Sequence, residues 1–455
     1  MKNCEMEAPS ILASVRRFIF VAALGLLLVG LTPQPLCAQA FDRIERERAQ
    51  TMLNAIKGEL KKNYYDPTFR GMDVDARFKA AEEKIKQATT LGQAFGAIAQ
   101  ALLDLNDSHT FFQPPSRPVS VEYGWQMQAI GNECYVSAIK PGSDAEKKGL
   151  KPGDRLISID GFKPSRRELW KMEYFYYTLS PRPGMRLVVQ SPGQQPRELE
   201  VAAKVRQEKR ILNLSGAGTS SGDINDYIRE SEDNDRLQRH RFQKFGGVVA
   251  WKMDSFSFLP EQAEVIMNGQ IAGSNALILD LRGNPGGYVV TLERMVSHFF
   301  DRELKIADLK GRKEMKPMVA KKRGAKPFEG KVIVLIDSKS ASAAELFARV
   351  MQLEKRGVVL GDQSSGAVMQ SRGYGMELGV NRLVLYGASI TNADVIMTDG
   401  KSLEHVGVIP DEVLIPTAED MATMRDPVLA RAFQLAGVRM DSTQAGALFP
   451  IEWKR

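Results

Sequence analysis

The sequence predicts an α/β protein of several domains, and three observations support this prediction. Its 455 residues are too many for one compact domain. From residue 246 onward, strands that are apolar throughout alternate with helical segments, which indicates a sheet buried on both faces. Between about residues 120 and 205 the pattern changes to short strands and turns, which indicates a second, smaller domain.

The first 40 residues have the outline of a secretory signal peptide. Arg16 and Arg17 precede an apolar run from Phe18 to Leu31, and Ala38-Gln39-Ala40 follows. An uncleaved membrane anchor is the alternative, but the run has 14 residues and a spanning helix needs about 20. We therefore expect residues 1–40 to be removed from a bacterial protein that is periplasmic or secreted and meets the membrane only through this segment.

Residues 41–117 are predicted to form an N-terminal helical region. Apolar side chains recur there at helical spacing in two stretches, and each set falls on one face of a helix. The two sets are Met52, Leu53, Ile56 and Leu60, followed by Ala94, Ile98, Ala101, Leu102 and Leu105.

Residues 118–206 resemble a PDZ domain, a small α+β barrel. The segment YVSAIKPGSDAEKKGLKPGDRLISIDG, residues 135–161, places a strand, a short helix, a Pro-Gly-Asp turn and a second strand in the order of that fold. PDZ domains bind a peptide C-terminus as an added strand, and backbone N–H groups of one loop hold the carboxylate. The resemblance implies that this substrate-binding loop consists of Tyr123, Gly124, Trp125, Gln126 and Met127, where the usual small and apolar residues are partly replaced.

The rest of the chain divides into three predicted parts. Residues 207–245 are rich in Ser, Gly and charge and are interpreted as a linker or mobile surface segment. Residues 246–438 form the α/β core, and residues 439–455 form a C-terminal tail. Basic residues concentrate between Arg302 and Lys326 without aromatic interleaving, which favours a solvated loop or hairpin over nucleic-acid binding.

Two stretches of the core combine strand ends with groups that could serve catalysis. In SKSASAAELFARV a serine stands where a strand turns into a helix, beside backbone N–H groups that have no partner within the helix. Such groups can bind an oxyanion, although these serines are equally explained as helix caps. In LILDLRGNPGGYVV, Gly286 and Gly287 allow a close backbone approach to a substrate, or only a tight turn.

With both stretches in view, the sequence resembles the carboxyl-terminal processing peptidases, or tail-specific proteases. The helical region, the PDZ segment, LDLRGNPGG, SASAAELFA and EHVGVIPDEV follow the order of that family from roughly residue 45 to 435. The resemblance implies a serine peptidase with a crotonase-like or ClpP-like core. It places the nucleophile at Ser342 and the oxyanion-binding N–H groups at Ala343 and Gly286.

One position departs from the family pattern. Most of these peptidases use a lysine downstream of the nucleophile as the base, but the corresponding segment GDQSSGAVMQS has Ala367 at that position. A methyl group cannot accept a proton. The site is therefore either inactive or served by another base.

The segment DLNDSHTFF, residues 104–112, supplies a candidate base in His109. Its Ser-His-Thr stretch resembles the corresponding part of the tricorn core protease, whose catalytic set is Ser-His-Ser-Glu. That resemblance implies Ser342 as nucleophile, His109 as general base, and Ser108 and Glu404 as the groups that orient it. A structural histidine at a domain junction is the alternative for His109, a cap or surface turn is equally open for Glu404, and His405 is the rival base.

The sequence therefore predicts an exported serine endopeptidase that cleaves protein or peptide substrates through an acyl-enzyme, with the PDZ domain binding substrate C-termini or gating access. An inactive peptide-binding scaffold of the same fold is the alternative. The sequence contains no Cys-x-x-Cys or His-x-x-x-His pair, so no metal site is expected. No cofactor and no nucleic-acid partner are expected either. After removal of the signal only Cys134 remains, so no internal disulfide is expected, and an oligomer is left open.

Overall fold

The computed structural model describes residues 41–117, 119–207, 240–324, 326–379 and 384–453. The predicted signal peptide, residues 1–40, and residues 208–239 of the predicted linker lie outside the described residues. Within the described ranges, no helix combines the length and the apolar character that a membrane span requires.

The N-terminal region is helical, as predicted. It contains α1 (Arg43–Asn63), α2 (Val74–Gln87) and α3 (Leu91–Leu103). Asp73 and Thr90 cap the second and third helices, because their side chains accept hydrogen bonds from the first-turn N–H groups of Ala76 and Gln93. The apolar residues at helical spacing are buried, including Ile56 and Ile98.

The PDZ segment is an antiparallel sheet with two helical pieces. Strand β1 (Phe111–Gln113) precedes the domain. The elements of the domain are β2 (Val119–Glu122), β3 (Trp125–Ile130), β4 (Glu133–Ile139), α4 (Asp144–Lys147), β5 (Arg155–Ile159), α5 (Leu169–Glu173), β6 (Gly184–Gln190), β7 (Arg197–Ala202) and β8 (Lys204–Gln207). The sheet order is β3-β4-β5-β6-β7, so β3 is an edge strand. Strands β2 and β8 pair with each other. The core of this domain encloses Trp125, Leu156 and Leu187.

The α/β core begins earlier than predicted, because a strand occupies the end of the expected linker. Its elements are β9 (Arg241–Phe245), β10 (Val248–Lys252), α6 (Pro260–Ile266), β11 (Ala276–Asp280), α7 (Val289–Ser297), β12 (Leu304–Lys310), β13 (Met318–Ala320), β14 (Lys331–Ile336), α8 (Ala343–Leu353), β15 (Val358–Gly361), β16 (Met369–Leu378), β17 (Val384–Met397), β18 (Glu412–Val413), α9 (Ala418–Ala422), α10 (Pro427–Leu435) and α11 (Ser442–Gly446). The turn at Gly246-Gly247 joins β9 to β10 as an antiparallel pair.

The central sheet has the order β18-β15-β14-β11-β10-β9 and is parallel except for β9. Alternate residues along one strand face opposite sides. In β11, Leu277 and Leu279 pack with α6, α7 and α8, whereas Ala276 and Ile278 pack with α10 and α11. The prediction of a sheet buried on both faces is therefore confirmed.

A second sheet, which the sequence did not predict, has the order β1-β17-β12-β13 with β16 also paired to β17. The basic stretch between Arg302 and Lys326 contributes the antiparallel pair β12 and β13, as the hairpin prediction expected. Strand β1 pairs with residues 387–389 of β17, so this sheet ties the segment that follows His109 to the core.

The PDZ domain contacts the core through hydrogen bonds and close backbone packing. Ser338 donates a hydrogen bond to the backbone oxygen of Ala129. Asp362 accepts from Gly131 N and Arg166 Nη1, both at 2.9 Å. A Cβ on Gly153 would lie 2.2 Å from the carbonyl oxygen of Ala418, so the Pro-Gly-Asp turn packs directly on the start of α9.

Candidate active site

Ser342 occupies the sharp turn between the end of β14 and the start of α8. Its φ of 54° lies in the left-handed region, which a residue with a side chain adopts at a cost of roughly 1–3 kcal/mol. The Ser342 N–H group donates to the carbonyl oxygen of Ala367 at 2.9 Å and to Glu345 Oε2 at 3.0 Å. The strain is therefore held in place by two hydrogen bonds, and the serine side chain is left partly exposed.

Glu345, three residues after the serine, organises the backbone around it. The side chain is fully buried and accepts from Ser364 Oγ at 2.5 Å and from the N–H groups of Gly366 at 2.8 Å and Ala367 at 3.0 Å, in addition to Ser342. Burial raises the pKa of Glu345 to about 7, and these four donors act in the opposite direction. Sequence reasoning assigned no role to Glu345, although a serine followed three residues later by glutamate is the signal of a capping box.

The glycine turn packs directly against the serine turn. A Cβ on Gly286 would lie 2.7 Å from Ser342 Cβ and 2.9 Å from Ala343 N, so only glycine fits there. The Gly286 N–H group donates to Asn284 Oδ1 at 2.8 Å. Among the described residues, the N–H groups of Gly287 and Ala343 have no such acceptor, and these two are therefore available for an oxyanion.

Ala367 occupies the place of the missing lysine. Its carbonyl oxygen and its N–H group serve Ser342 and Glu345, and its side chain is a methyl group. The next residue, Val368, donates its N–H group to Glu404 Oε2 at 2.8 Å. Ala367 and Val368 therefore link the serine turn to Glu404 through two adjacent peptide groups.

Ser108, His109 and Glu404 form a continuous polar network although 296 positions separate Ser108 from Glu404. Glu404 Oε1 accepts from Ser108 N, and Glu404 Oε2 accepts from Ser108 Oγ, both at 2.8 Å. Ser108 Oγ lies 2.7 Å from His109 Nδ1. The structure thus brings three of the four predicted catalytic residues into direct contact, next to the loop that holds the fourth.

The hydrogen bonds of Ser108 fix the tautomer of the imidazole. A hydroxyl has one hydrogen and an ionised carboxylate can only accept, so Ser108 donates to Glu404. His109 Nδ1 must then carry a hydrogen and donate it to Ser108 Oγ. In the neutral ring, Nε2 is consequently left with the lone pair that a general base requires.

Asp107 fixes the backbone of the histidine turn. Its Oδ1 atom accepts from the N–H groups of His109 at 3.0 Å and Thr110 at 2.7 Å, and from Thr391 Oγ1 at 2.7 Å. Burial lowers the pKa of His109, while the carboxylates of Glu404 and Asp107 act in the opposite direction. Sequence reasoning missed Asp107, although aspartate commonly accepts hydrogen bonds from the N–H groups of a turn that follows it.

The other histidines have different surroundings. His405 Nε2 lies 2.8 Å from the carbonyl oxygen of Asn106, so that nitrogen carries a hydrogen and is not a base. Burial and the Arg323 guanidinium lower the pKa of His298 to about 4. His240 packs edge-on against Phe258 and Trp251.

The predicted PDZ loop is mostly enclosed. The side chains of Tyr123, Trp125 and Met127 are at most 2% exposed and belong to the PDZ core, Gly124 is buried as well, and only Gln126 is partly exposed. Any contact of this loop with a peptide would therefore have to come from the backbone and from Gln126. On the free edge of β3, the carbonyl oxygen of Trp125 lies 3.4 Å from Tyr177 Oη, and that of Ala129 is bound by Ser338.

The chain matches two family models. Residues 249–414 match peptidase family S41, and residues 119–169 match the PDZ domain. Among curated relatives, it is 24% identical over 323 residues to the tail-specific protease of Haemophilus influenzae, covering 67% of this chain and 43% of the relative. It is 25% identical over 321 residues to the carboxy-terminal processing protease CtpB of Bacillus subtilis, covering 67% of this chain and 61% of the relative. The chain therefore spans less than two thirds of the length of these two relatives.

Two further comparisons support the fold. The chloroplastic C-terminal processing peptidase of Tetradesmus obliquus is 24% identical over 371 residues, covering 78% of this chain and 74% of the relative. The crystal structure of mature CPAF has a TM-score of 0.60 at 15% identity and covers 83% of this chain and 94% of that chain. The predicted fold class, an α/β peptidase core with an N-terminal helical region and a PDZ domain, is confirmed, and so is the predicted resemblance to the carboxyl-terminal processing peptidases.

Proposed function

We propose that this chain, whose residues 249–414 match peptidase family S41 and whose residues 119–169 match the PDZ domain, is an exported serine endopeptidase that uses a histidine in place of the missing lysine. Ser342 is the nucleophile, His109 is the general base, and Ser108 and Glu404 orient the imidazole. The substrates are proteins or peptides, bound near their C-termini.

In the proposed reaction, Ser342 Oγ attacks the carbonyl carbon of the scissile peptide bond while His109 Nε2 takes the hydroxyl proton. The tetrahedral intermediate collapses, the C–N bond breaks, and the imidazolium returns that proton to the leaving amine. Water then attacks the acyl-enzyme and loses a proton to His109. The second tetrahedral intermediate collapses, the bond to Ser342 Oγ breaks, and the imidazolium returns that proton to Ser342 as the new carboxyl terminus is released.

The negative oxygen of the tetrahedral intermediate needs N–H donors close to Ser342. The N–H group of Ala343 at the start of α8 is one proposed donor. Gly286 belongs to the turn that supplies the other. Because Asn284 already accepts the Gly286 N–H group, we assign the donor to Gly287 and the steric role to Gly286.

The observation that carries this proposal is the relay from Glu404 through Ser108 to His109 beside the Ser342 loop. It supports a neutral imidazole with a lone pair on Nε2, which is the protonation state that a base needs. The alternative, an inactive peptide-binding scaffold, is favoured by the methyl group of Ala367. A scaffold gives no reason for a strained serine or for the relay.

The PDZ domain is proposed to bind a substrate C-terminus along β3 and thereby gate access. The carbonyl oxygens of Trp125 and Ala129 face the free edge, where an added strand would bond. Tyr177 and Ser338 contact these two oxygens. A bound tail would therefore have to displace both hydroxyl groups, one of which lies four residues before the nucleophile.

The localisation and the domain limits are part of the same proposal. We place a signal peptide at residues 1–40, the PDZ domain at 118–206 and the peptidase core at 246–438, with strand β9 added at the start of the core. The mature protein is placed in the periplasm or outside the cell. Fractionation of a bacterial host that expresses the full chain, with N-terminal sequencing of the product, tests export. A cytoplasmic product that retains Met1 would reject it.

The peptidase proposal is tested by labelling the purified protein with a fluorophosphonate probe and mapping the adduct, with cleavage of an unfolded protein measured in parallel. We expect one adduct, at Ser342, and turnover that falls on the order of 10⁴-fold or more in Ser342→Ala and His109→Ala. Absence of both labelling and cleavage would favour the scaffold.

A further inference from the structure

The carboxylate of Asp337, at the end of β14, is shared between two turns of the core. Its Oδ1 atom accepts from Gly283 N at 2.9 Å, Lys339 N at 3.0 Å and Ser340 N at 3.1 Å. Gly283 opens the glycine turn, whereas Lys339 and Ser340 lie in the segment that leads to Ser342. One oxygen atom therefore binds the backbone on both sides of the proposed oxyanion site.

Neighbouring contacts show that these two turns are built as one unit. Ser340, fully buried, donates its hydroxyl to the carbonyl oxygen of Leu281 at 2.8 Å, and Ala341 N donates to the carbonyl oxygen of Asn284 at 2.9 Å. Asp337 is the one acceptor among these that reaches N–H groups of both turns with a single side chain.

The second carboxylate oxygen of Asp337 serves a different domain. Oδ2 accepts from Gln128 Nε2 of PDZ strand β3 at 2.7 Å. Oδ1 thus binds the two turns of the core and Oδ2 binds the PDZ domain. Substitutions can distinguish these two roles. Loss of Gln128 removes only this contact with the PDZ domain. Loss of the carboxylate also releases the N–H groups of Gly283 and Lys339, whereas Ser340 N keeps its hydrogen bond to the backbone oxygen of Asp337 at 2.9 Å.

We propose that Asp337 is a positioning residue of the peptidase site. Through Oδ1 it holds the glycine turn at a fixed distance from the turn that carries Ser342 and Ala343, and through Oδ2 it docks the PDZ domain onto that assembly. This inference rests on the proposed function, because it assigns Asp337 to the oxyanion site of the same reaction.

The expected effect is on turnover and not on substrate binding. Oxyanion donors act on charge that develops only in the transition state, so a displaced donor lowers kcat and leaves KM nearly unchanged. A shift of about 1 Å in such a site can cost on the order of 100-fold. We expect Asp337→Ala to lower kcat about 10- to 100-fold and to change KM less than about threefold.

Two further variants separate positioning from a general structural role. Asn at position 337 keeps one oxygen for the three N–H groups, and its amide can face Gln128 after that side chain turns over, so Asp337→Asn should retain kcat within about threefold. Gln128→Ala removes the same contact between domains and should retain kcat within about twofold on a short peptide substrate. Equal kcat losses in Asp337→Ala and Gln128→Ala would overturn the proposal, as would a loss in Asp337→Ala that appears only in KM or in melting temperature.

A readout independent of catalysis separates this inference from the proposed function. Amide hydrogen exchange is measured on residues 281–287 and 337–342 in the wild-type protein and in the three variants. We expect both segments to exchange faster together in Asp337→Ala and to match the wild type in Gln128→Ala. If the wild-type protein cleaves nothing, the proposed function fails while this measurement still decides the positioning role; unchanged exchange in Asp337→Ala would reject that role even in an active enzyme.

Discussion

The turn that carries Ser342 and the PDZ loop from Tyr123 to Met127 were both predicted as functional, yet they are built in opposite ways. Around Ser342, the buried carboxylate of Glu345 holds the backbone in place by accepting hydrogen bonds from its N–H groups. Polar side chains from distant segments, such as Glu404, bind the neighbouring loop. Around the PDZ loop, three of five side chains are packed in an apolar core. In the proposed function, side chains perform the chemistry in the first region, whereas the second region contacts a peptide through the backbone edge of β3.

The largest effect that this difference predicts is at Glu404. The two carboxylate oxygens of Glu404 accept hydrogen bonds from Ser108 N, Ser108 Oγ and Val368 N. In Glu404→Gln, an amide nitrogen replaces one of these oxygens, so the hydrogen-bond relay to His109 is broken. We expect kcat to fall about 10²- to 10⁴-fold, as for loss of a group that orients a catalytic imidazole. Steady-state kinetics measures this change.

Glu412→Gln is the matched control, because Glu412 pairs with Arg431 at the surface, away from the relay. It should retain kcat within about twofold. Similar losses in both variants would mean that Glu404 acts only on folding.

The PDZ loop should respond in stability instead. Met127 is 1% exposed in the PDZ core, so Met127→Ala leaves a cavity and should destabilise that domain by about 3 kcal/mol. Hydrogen exchange of the β3–β4 amides measures the change. Cleavage of a short peptide by the folded fraction should be unchanged, and a loss of kcat without a loss of stability would contradict the contrast between the two regions.

A substitution at Glu345, next to Ser342, should lower the stability of the folded protein. In Glu345→Gln, amide hydrogens face the N–H donors of residues 366–367 or of Ser342. We expect the free energy of unfolding to fall by about 2 kcal/mol as a result. Urea unfolding followed at several pH values measures it, with the surface variant Glu354→Gln as control.

The sign of the pH dependence follows from the raised pKa of Glu345. The folded protein holds this proton up to about pH 7, whereas the unfolded chain releases it near 4.5. The stability contribution of this group is therefore greatest below pH 4.5 and is lost as the pH rises to about 7. The variant should lack that component, and an unchanged slope would contradict the assignment.

The smallest effect is expected at the contact between the two regions. Ser338→Ala removes the hydroxyl that competes for the carbonyl oxygen of Ala129, so a fluorescent peptide with a free C-terminus should bind the PDZ edge about fivefold more tightly, the equivalent of one net hydrogen bond of about 1 kcal/mol. Fluorescence anisotropy measures it. Weaker binding would mean that Ser338 helps to form the peptide site.

The sequence predicted those parts of the fold that repeat a local pattern. The parallel strands β10, β11 and β14 are apolar throughout, and the PDZ turn at Pro152-Gly153 has its own signal. The second sheet escaped prediction because β16 and β17 carry glycines and polar residues. These two strands pair with each other, but β17 also pairs with β1 and β12, which lie far away along the chain.

The candidate site shows the same division. Ser342, His109, Ser108 and Glu404 were predicted through motifs, and their roles remain a proposal. Asp107, Glu345 and Asp337 were missed because the local patterns of a carboxylate that binds backbone N–H groups, such as a cap or a turn, do not show which distant segments it meets. The partner of Asp337 in the PDZ domain, for example, lies 209 positions earlier.

The central claim, that His109 activates Ser342, is tested most directly by the pH dependence of the rate at which a fluorophosphonate modifies Ser342. Because burial lowers the pKa of His109, the wild-type rate should rise with a midpoint below 6.5 and then stay level. In His109→Ala the rate should fall by orders of magnitude and lose that midpoint. An equal rate and the same profile in both proteins, or a wild-type rate that rises only in the alkaline range where an amine loses its proton, would contradict the account.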